Sequence, residues 1–130
     1  MIVVDASAIL ELLLKTSLGD AVAERVFDKT EMLHAPHLLD IEAVHVLRRY
    51  ARIASQQVER YVLALDNLSK LQLQRHSHTI LLPRIWQLRH NLTAYDATYV
   101  ALAELLDAPL LTCDRRLATA PGHDARIDLI

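Results

Sequence analysis

Residues 1–10 read MIVVDASAIL, an apolar run that ends in an acid and passes directly into a second apolar segment. Met1–Asp5 has the length and composition of a buried strand, and Ala6–Lys15 has the apolar spacing of a buried helix. A strand that leads at once into a helix is the first half of a crossover unit. The start of the chain therefore predicts an α/β fold.

The rest of the chain repeats this alternation of strands and helices. Further strands are predicted at Met32–Ala35, Leu71–Gln74, Pro109–Thr112 and Ala125–Leu129. Further helices are predicted after Gly19 and over His37–Ile53, Gln56–Ser69, Thr79–Asn91, Thr93–Asp107 and Asp114–Ala120. Such an order predicts a mainly parallel central sheet flanked by helices on both faces. We expect a single domain over residues 1–130, since this length is close to that of an ordinary domain.

Composition narrows the possible classes of protein. The 130 residues are 52% apolar and carry 14 Lys and Arg against 16 Asp and Glu, a net charge of −2. These values exclude a disordered chain and a passive basic coat for nucleic acid. No apolar run approaches the roughly 18–20 residues that a membrane span requires. The single cysteine, Cys113, cannot form an internal disulfide, so we expect a cytoplasmic protein with no membrane segment.

Four acids occupy positions that favour a common site. Asp5 closes the first predicted strand, and Asp114 follows the strand at Pro109–Thr112. In parallel sheets the functional crevice lies outside the carboxyl ends of the strands. Glu42 lies on the border between an apolar and a polar face of its helix, and Asp96 lies on a helix that is apolar nearly all round. A carboxylate on such a buried helix is costly unless it is paired or bound to a cation.

Each acid also has a purely structural explanation. Asp5 and Asp114 precede helices and can cap them. Thr93 and Asp96 have nearly the spacing and residue types of a capping box, and Glu42 can be a rim residue that faces solvent. Four separate capping or rim roles would then have to coincide. We therefore favour one shared site over four independent structural roles.

Clustered carboxylates indicate a site for a hard cation. All-oxygen ligands suit Mg²⁺ or Mn²⁺ rather than zinc. A divalent ion also relieves the repulsion between acids that could not otherwise all ionise together. Two such ions about 3.5–4 Å apart activate water and stabilise both oxygens of an in-line phosphoryl displacement. The sequence thus predicts metal-assisted phosphoester chemistry.

Several blocks of the chain resemble the PIN-domain family, and most closely the VapC toxins of toxin–antitoxin pairs. The blocks are MIVVDASA at 1–8, a glutamate on the helix after Pro36, LTAYDATYVALAE at 92–104 and LLTCDRRLA at 110–118. They cover essentially the whole chain in the family's order. The resemblance implies a Mg²⁺- or Mn²⁺-dependent endoribonuclease. It would hydrolyse RNA with metal-activated water and leave a 5′-phosphate and a 3′-hydroxyl.

The resemblance also implies roles for individual residues. Asp5, Asp96 and Asp114 match the family's metal-coordinating acids, and Glu42 matches the acid that binds the metal or orients the attacking water. Ser7 and Thr112 match hydroxyl positions that support this site, His45 stands where relatives often carry Asn, and Arg116 stands where some carry a further acid. The chain therefore has four candidate carboxylates.

Partners are implied by the same resemblance: an RNA substrate, a cognate antitoxin protein and a second copy in a homodimer. The first helix supports a protein contact, because Leu10, Leu12, Leu13 and Leu14 cover a wide arc. Either this helix is buried on two sides or part of it meets another chain. An antitoxin would hold a hydrophobic groove and present a cation to the acidic site.

Basic side chains near the acids are candidates for RNA binding. Arg48, Arg49 and Arg52 follow Glu42 on one helix, and two further arginines adjoin Asp114. Those two are Arg115 and Arg116. A solvated face is the usual meaning of such a run, and contact with RNA phosphates is the functional alternative.

Other residues are expected to be structural. The pairs His34/His37 and His76/His78 do not complete a zinc set, so we expect surface polar residues there. Trp86 is expected to pack on a helix face, and Cys113 to be a small buried residue rather than a nucleophile.

A catalytically silent PIN-like module that binds RNA or protein is the main alternative function. It would keep the fold but bind metal weakly. A phosphohydrolase or receiver-type domain fits less well, because Asp5-Ala-Ser7 has no second acid beside the first strand.

Overall fold

The computed structural model describes residues 1–27 and 30–130. Residues 28 and 29, which the single-domain prediction over 1–130 includes, lie outside the described ranges. Within those ranges, five strands form one sheet in the order β3-β2-β1-β4-β5, and all neighbouring pairs are parallel. The strands are β1 Ile2–Val4, β2 Leu33–Pro36, β3 Leu73–His76, β4 Leu110–Thr112 and β5 Ile127–Leu129. The predicted α/β fold with a mainly parallel sheet is confirmed.

Seven α-helices occur in the described residues, each close to a predicted segment. They are α1 Ala6–Leu14, α2 Ser17–Phe27, α3 Leu38–Ile53, α4 Val58–Lys70, α5 Leu82–Gln87, α6 Ala94–Leu106 and α7 Arg115–Thr119. The helix predicted over Thr79–Asn91 is shorter than expected. A 3₁₀ turn at Thr79–Leu81 comes first, and Pro83 lies in the first turn of α5. Proline is tolerated there because that amide has no intrahelical acceptor.

The order of the strands places a topological switch at the centre of the sheet. From β1 the chain proceeds outward to β2 and β3, and it then returns to place β4 on the other side of β1. Because crossover connections are right-handed, the helices before and after this reversal cover opposite faces of the sheet. The crevice at a switch point lies beyond the carboxyl ends of the two strands concerned. Here those strands are β1 and β4, which Asp5 and Asp114 follow.

Helix α1 is covered by other helices of the same chain. It packs against α2, α3 and α4. Ala8, Ile9, Leu10 and Leu14 are buried, while Leu12 and Leu13 are partly buried against the core. Of the two explanations for its wide apolar arc, the structure therefore shows burial on more than one side.

Two structural expectations are wrong. Trp86 does not pack on a helix face: it is 68% exposed, and the Arg89 guanidinium lies 4.5 Å from its ring centroid. His34 is not a surface residue, because its side chain is inside the sheet layer at 4% exposure with Nδ1 2.8 Å from Nε2 of His76. The short helix α5 has few buried positions, whereas β2 is an inner strand of a sheet covered on both faces, so all four of its side chains are buried whatever their type. His37 and His78 are exposed, as expected.

None of the helices in the described ranges combines the length and the apolar character that a membrane crossing demands.

The junction of α1 and α2 depends on a glycine. A Cβ atom at Gly19 would lie 2.1 Å from the carbonyl oxygen of Glu11, well inside van der Waals contact. We predict that Gly19→Ala lowers the free energy of unfolding by about 1–3 kcal/mol, because the two helices must separate. Urea denaturation followed by circular dichroism measures this change. Glu24→Ala, an exposed change on α2, is the control, and equal stability of the two variants would contradict the close approach.

Candidate active site

The Asp5 carboxylate is held by three donors at the end of β1. The Ala8 amide and the Ser7 hydroxyl donate to Oδ1 at 2.9 and 2.7 Å, and the Thr112 hydroxyl donates to Oδ2. Asp5 is therefore the N-cap of α1 as well as a buried acid facing the switch point. The capping role does not compete with a site role, because Oδ2 accepts a single hydrogen bond and keeps a further lone pair.

The two supporting hydroxyls join the ends of β1 and β4. The Ser7 Oγ accepts the Cys113 amide, and the Thr112 Oγ1 accepts the Asp114 amide, both at 2.9 Å. These hydroxyl oxygens lie 3.3 Å apart. The strand ends, and with them Asp5 and Asp114, are thus fixed relative to one another.

Glu42 lies on α3 and is half-buried rather than a solvated rim residue. Its Oε2 accepts a hydrogen bond from the hydroxyl of Tyr99 on α6, which is buried. Tyr99 was not identified from the sequence as part of the site. Two signals were available: Tyr99 lies three residues after Asp96, on the same side of the helix, and a buried tyrosine hydroxyl needs a partner.

Asp96 and Asp114 lie at the starts of helices. The Thr93 hydroxyl accepts the Asp96 amide at 3.1 Å, so half of the expected capping box forms. Asp114 caps α7 by accepting the Arg116 amide at 2.9 Å. Both carboxylates are partly exposed at the same edge as Asp5.

The four acids influence one another electrostatically. Burial raises the pKa of Asp5, and the charge of Asp96 adds to this shift. Burial raises the pKa of Glu42, with further contributions from the charges of Asp96 and Asp5. Burial also raises the pKa of Asp96, and the charge of Asp114 acts in the same direction. The four carboxylates therefore form one electrostatic cluster.

This donor set fits a hard divalent cation in its chemistry. Every candidate donor is a carboxylate oxygen, and a cation would offset both the burial of charge and the repulsion that together raise three of the pKa values. In the described residues, no three His, Cys, Asp or Glu side chains lie close enough together to form a complete metal-binding group. The fold thus brings the acids to one edge of the sheet without converging their side chains on a single point.

Cys113 lies beside this cluster but is not an activated nucleophile. Burial raises the pKa of its thiol to about 11, and the charges of Asp5 and Glu11 add to the effect. A thiol with such a pKa is almost entirely protonated at neutral pH. Its expected structural role is therefore consistent with its surroundings.

The predicted basic residues lie on either side of the acids. A depression of about 480 Å³ on α3 is lined by His45, Arg48, Arg49, Arg52 and Ile53. Those three arginines are free of ion pairs to any residue the structure describes. Arg115 and Arg116 are exposed beyond Asp114. The Nε of Arg116 lies 3.7 Å from Oδ1 of Asp114, whereas the three arginines of α3, without acidic partners among the described residues, remain available for an anionic ligand.

We predict that Glu42→Gln stabilises the metal-free protein at neutral pH. Glutamine keeps an acceptor for Tyr99 but removes a charge that burial and the other acids disfavour. Because the pKa of Glu42 is higher in the folded than in the unfolded protein, its contribution to stability is fully present at a pH below the unfolded-state pKa. That contribution is lost as the pH rises through the folded-state pKa. The melting temperature in EDTA should rise by on the order of a few degrees at about pH 7.5, and by less near pH 5. Glu24→Gln is the exposed control, and equal shifts for both variants would contradict the cluster.

Comparison with known proteins assigns the family. The model of the PIN domain matches residues 2–122. Ribonuclease VapC1 of Mycobacterium tuberculosis is 46% identical over 132 residues, which cover 98% of this chain and 96% of the relative. Ribonuclease VapC12 of the same species is 43% identical, and the match covers 100% of this chain and 99% of the relative.

Solved structures agree with this assignment. PAE2754 from Pyrobaculum aerophilum superposes with a TM-score of 0.65 at 25% identity, covering 95% of this chain and 89% of its own. VapC20 of Mycobacterium tuberculosis, described as a toxin that cleaves the sarcin–ricin loop, has the same fold with a TM-score of 0.60 at 15% identity and coverage of 91% and 93%. The chain belongs to the PIN-domain family.

Proposed function

We propose that this protein is a Mg²⁺- or Mn²⁺-dependent endoribonuclease that acts as the toxin of a VapBC-type toxin–antitoxin system. The observation that supports the proposal is that Asp5, Glu42, Asp96 and Asp114 lie at one edge of the sheet, near the β1–β4 switch point, where their charges act on one another. The names of its relatives as VapC ribonucleases support the same activity. The proposed reaction is hydrolysis of an RNA phosphodiester by water.

In this mechanism three aspartates would hold the cation, and the fold fixes the first of them. Asp5, Asp96 and Asp114 are the proposed ligands. The three hydrogen bonds to Asp5 orient its carboxylate before any ligand arrives, which reduces the entropy lost on binding. A bound Mg²⁺ or Mn²⁺ would supply positive charge for the phosphate and lower the pKa of a bound water.

Glu42 would bind the metal or orient the attacking water. The Tyr99 hydroxyl donates to Oε2, and no donor among the described residues bonds to Oε1, which leaves that oxygen as an acceptor. Burial and the adjacent Glu42 charge raise the pKa of Tyr99, so it stays protonated and keeps donating. Tyr99 is thus a positioning residue for Glu42.

Arginines position the RNA chain on either side of the acids. Arg48, Arg49 and Arg52 line the depression beyond His45, and Arg115 and Arg116 lie beyond Asp114. Guanidinium groups match phosphate geometry with two hydrogen bonds and need no fixed base sequence. The acids alone would repel a polyanion, so cationic flanks favour substrate binding.

Membership of the family supports expectations about protein partners and location. We expect a cognate antitoxin that covers the site, a homodimer, and a cytoplasmic setting. Co-expression with the neighbouring reading frames and light scattering of the purified protein test the first two of these expectations.

A catalytically silent binding module is the second candidate. One observation favours it: within the described ranges the acids do not form a complete metal-binding group. Such a module would bind RNA through the same arginines but would not need the acids.

Cleavage of a mixed cellular RNA pool tests the activity. We predict discrete fragments in Mg²⁺ or Mn²⁺, none in excess EDTA, and at least a 10²-fold loss of rate in Asp5→Asn, as for loss of a key electrostatic group. Asparagine is an equally good N-cap, so α1 should form normally. End mapping should show a 5′-phosphate and a 3′-hydroxyl.

The controls separate a failed fold and a contaminant from a failed proposal. Circular dichroism and melting checks establish that Asp5→Asn is folded, and Asp5→Asn/Asp96→Asn purified in parallel reports any contaminating nuclease. Cleavage that persists at full rate in a folded Asp5→Asn protein contradicts the assigned site. RNA binding without any cleavage supports the silent module.

Neutralising the arginines on α3 tests their role. We predict that the triple variant Arg48→Gln/Arg49→Gln/Arg52→Gln binds single-stranded RNA more weakly. Its log affinity should depend less steeply on log salt, by about 0.7 for each lost phosphate contact. Fluorescence anisotropy across a salt series in EDTA measures both effects.

A matched triple variant gives the comparison. Lys15, Lys70 and Arg126 are exposed cations at the opposite edge of the sheet, where helices end or strands begin. Changing all three to glutamine removes the same charge. Equal loss of affinity in both triple variants would mean that only net charge matters, and the α3 surface would not be an RNA site.

A further inference from the structure

An apolar depression lies directly beside the acidic cluster. Its volume is about 320 Å³, and it is lined by Leu38, Ile41, Glu42, His45 and Tyr95. The lining combines three apolar or aromatic side chains of α3 and α6 with an imidazole and one carboxylate. A volume of this size is at the lower end of small-ligand sites. The depression is therefore large enough for a small flat group.

The lining residues connect this depression to the surfaces on both sides. Glu42 belongs to the acidic cluster and also forms one wall of the depression. His45, three residues after Glu42 on α3, also lines this depression, and it lines as well the depression formed by Arg48, Arg49 and Arg52 further along the helix. The surface thus presents carboxylates, then an apolar hollow, then arginines in one continuous path.

Tyr95 is the aromatic residue of this path. It directly precedes Asp96 at the start of α6, and its side chain is 61% exposed. Ile41, across the hollow, is 69% exposed. A tyrosine left in solvent next to a candidate metal ligand has no structural role in the core.

We propose that Tyr95 and the hollow beside it bind an unpaired nucleobase next to the scissile phosphate. This inference rests on the proposed ribonuclease function. A single RNA strand alternates phosphates with bases, and its bases stack on exposed aromatic side chains when they are not paired. If the scissile phosphate lies at the acids and the following phosphates of the same strand lie at the arginines of α3, the base between them contacts Tyr95.

RNA suits this surface better than a protein does. A protein seated in the hollow would also remove water from Glu42 and from the adjoining arginines, which is costly without matched charges. RNA supplies phosphates for the arginines and a flat apolar base for the hollow. The other exposed apolar residues nearby, Leu82 and Trp86 on α5, would join a contact with a second copy, and the test separates that case.

The first arm of the test compares side chains at position 95. Tyr95→Ala should raise KM for a short single-stranded substrate about tenfold with little change in kcat, while Tyr95→Phe, which keeps the stacking face, should resemble the wild type. Trp86→Ala removes an exposed aromatic residue outside the hollow and should change neither constant. Anisotropy in EDTA should show the same order of affinities without turnover.

The second arm removes the base instead of the side chain. Once the cleavage position is mapped, substrates with an abasic ribose on either side of the scissile phosphate are tested against both proteins. At one of the two positions, the abasic substrate should lose about as much affinity as Tyr95→Ala does. The abasic change should then have no further effect in the Tyr95→Ala protein, because the two changes remove the same contact.

Each outcome decides a separate point. Cleavage by the wild type with equal constants for Tyr95→Ala, or fully additive losses at both abasic positions, overturns the base site but leaves the ribonuclease in place. If the wild type is a dimer by light scattering, and both Tyr95→Ala and Trp86→Ala dissociate it while the abasic losses are additive, this surface instead binds a second copy of the chain. No cleavage and no RNA binding by the wild type would defeat the proposed function itself.

Discussion

The burial of the Asp5 carboxylate at the end of the central strand is the constraint on which the site depends. β1 is buried throughout, so an acid at its end needs several donors to offset the loss of water. The Ala8 amide and the Ser7 and Thr112 hydroxyls supply them. Because Thr112 comes from β4, this single requirement also fixes β4 beside β1 and brings Asp114 to the same edge.

The cluster of Asp5, Glu42, Asp96 and Asp114 destabilises the fold. Three of its acids have raised pKa values because burial and neighbouring charges disfavour ionisation. The surrounding structure offsets this cost with helix caps at Asp5 and Asp114 and with the Tyr99 bond to Glu42. Asp5 and Asp114 are helix caps and also members of the charged cluster. This double role explains why the capping patterns and the candidate site coincide in the sequence. Local stability is retained although the acids repel one another.

Much of the fold and of the acidic site could be predicted from the sequence, because short apolar runs and helical periodicity locate the elements. The rule that sites lie at the carboxyl ends of parallel strands then singled out Asp5 and Asp114. What remained hidden depends on packing between distant segments. Tyr99 on α6 and Glu42 on α3 are 57 residues apart in the sequence and meet only in the folded chain. His34 is buried only because β2 is an inner strand. The hollow beside Tyr95 is likewise a product of two helices, so no single stretch of sequence contains it.

Direct measurement of metal binding tests the central claim, that the four acids at the switch point form a cation site. Isothermal titration of Mn²⁺ into the metal-free protein should show saturable binding. That binding should be lost in Asp5→Asn/Asp96→Asn, with both proteins folded by circular dichroism. Equal binding by the double variant, or no binding by the folded wild type, would contradict the claim and leave the fold as a platform for recognition alone.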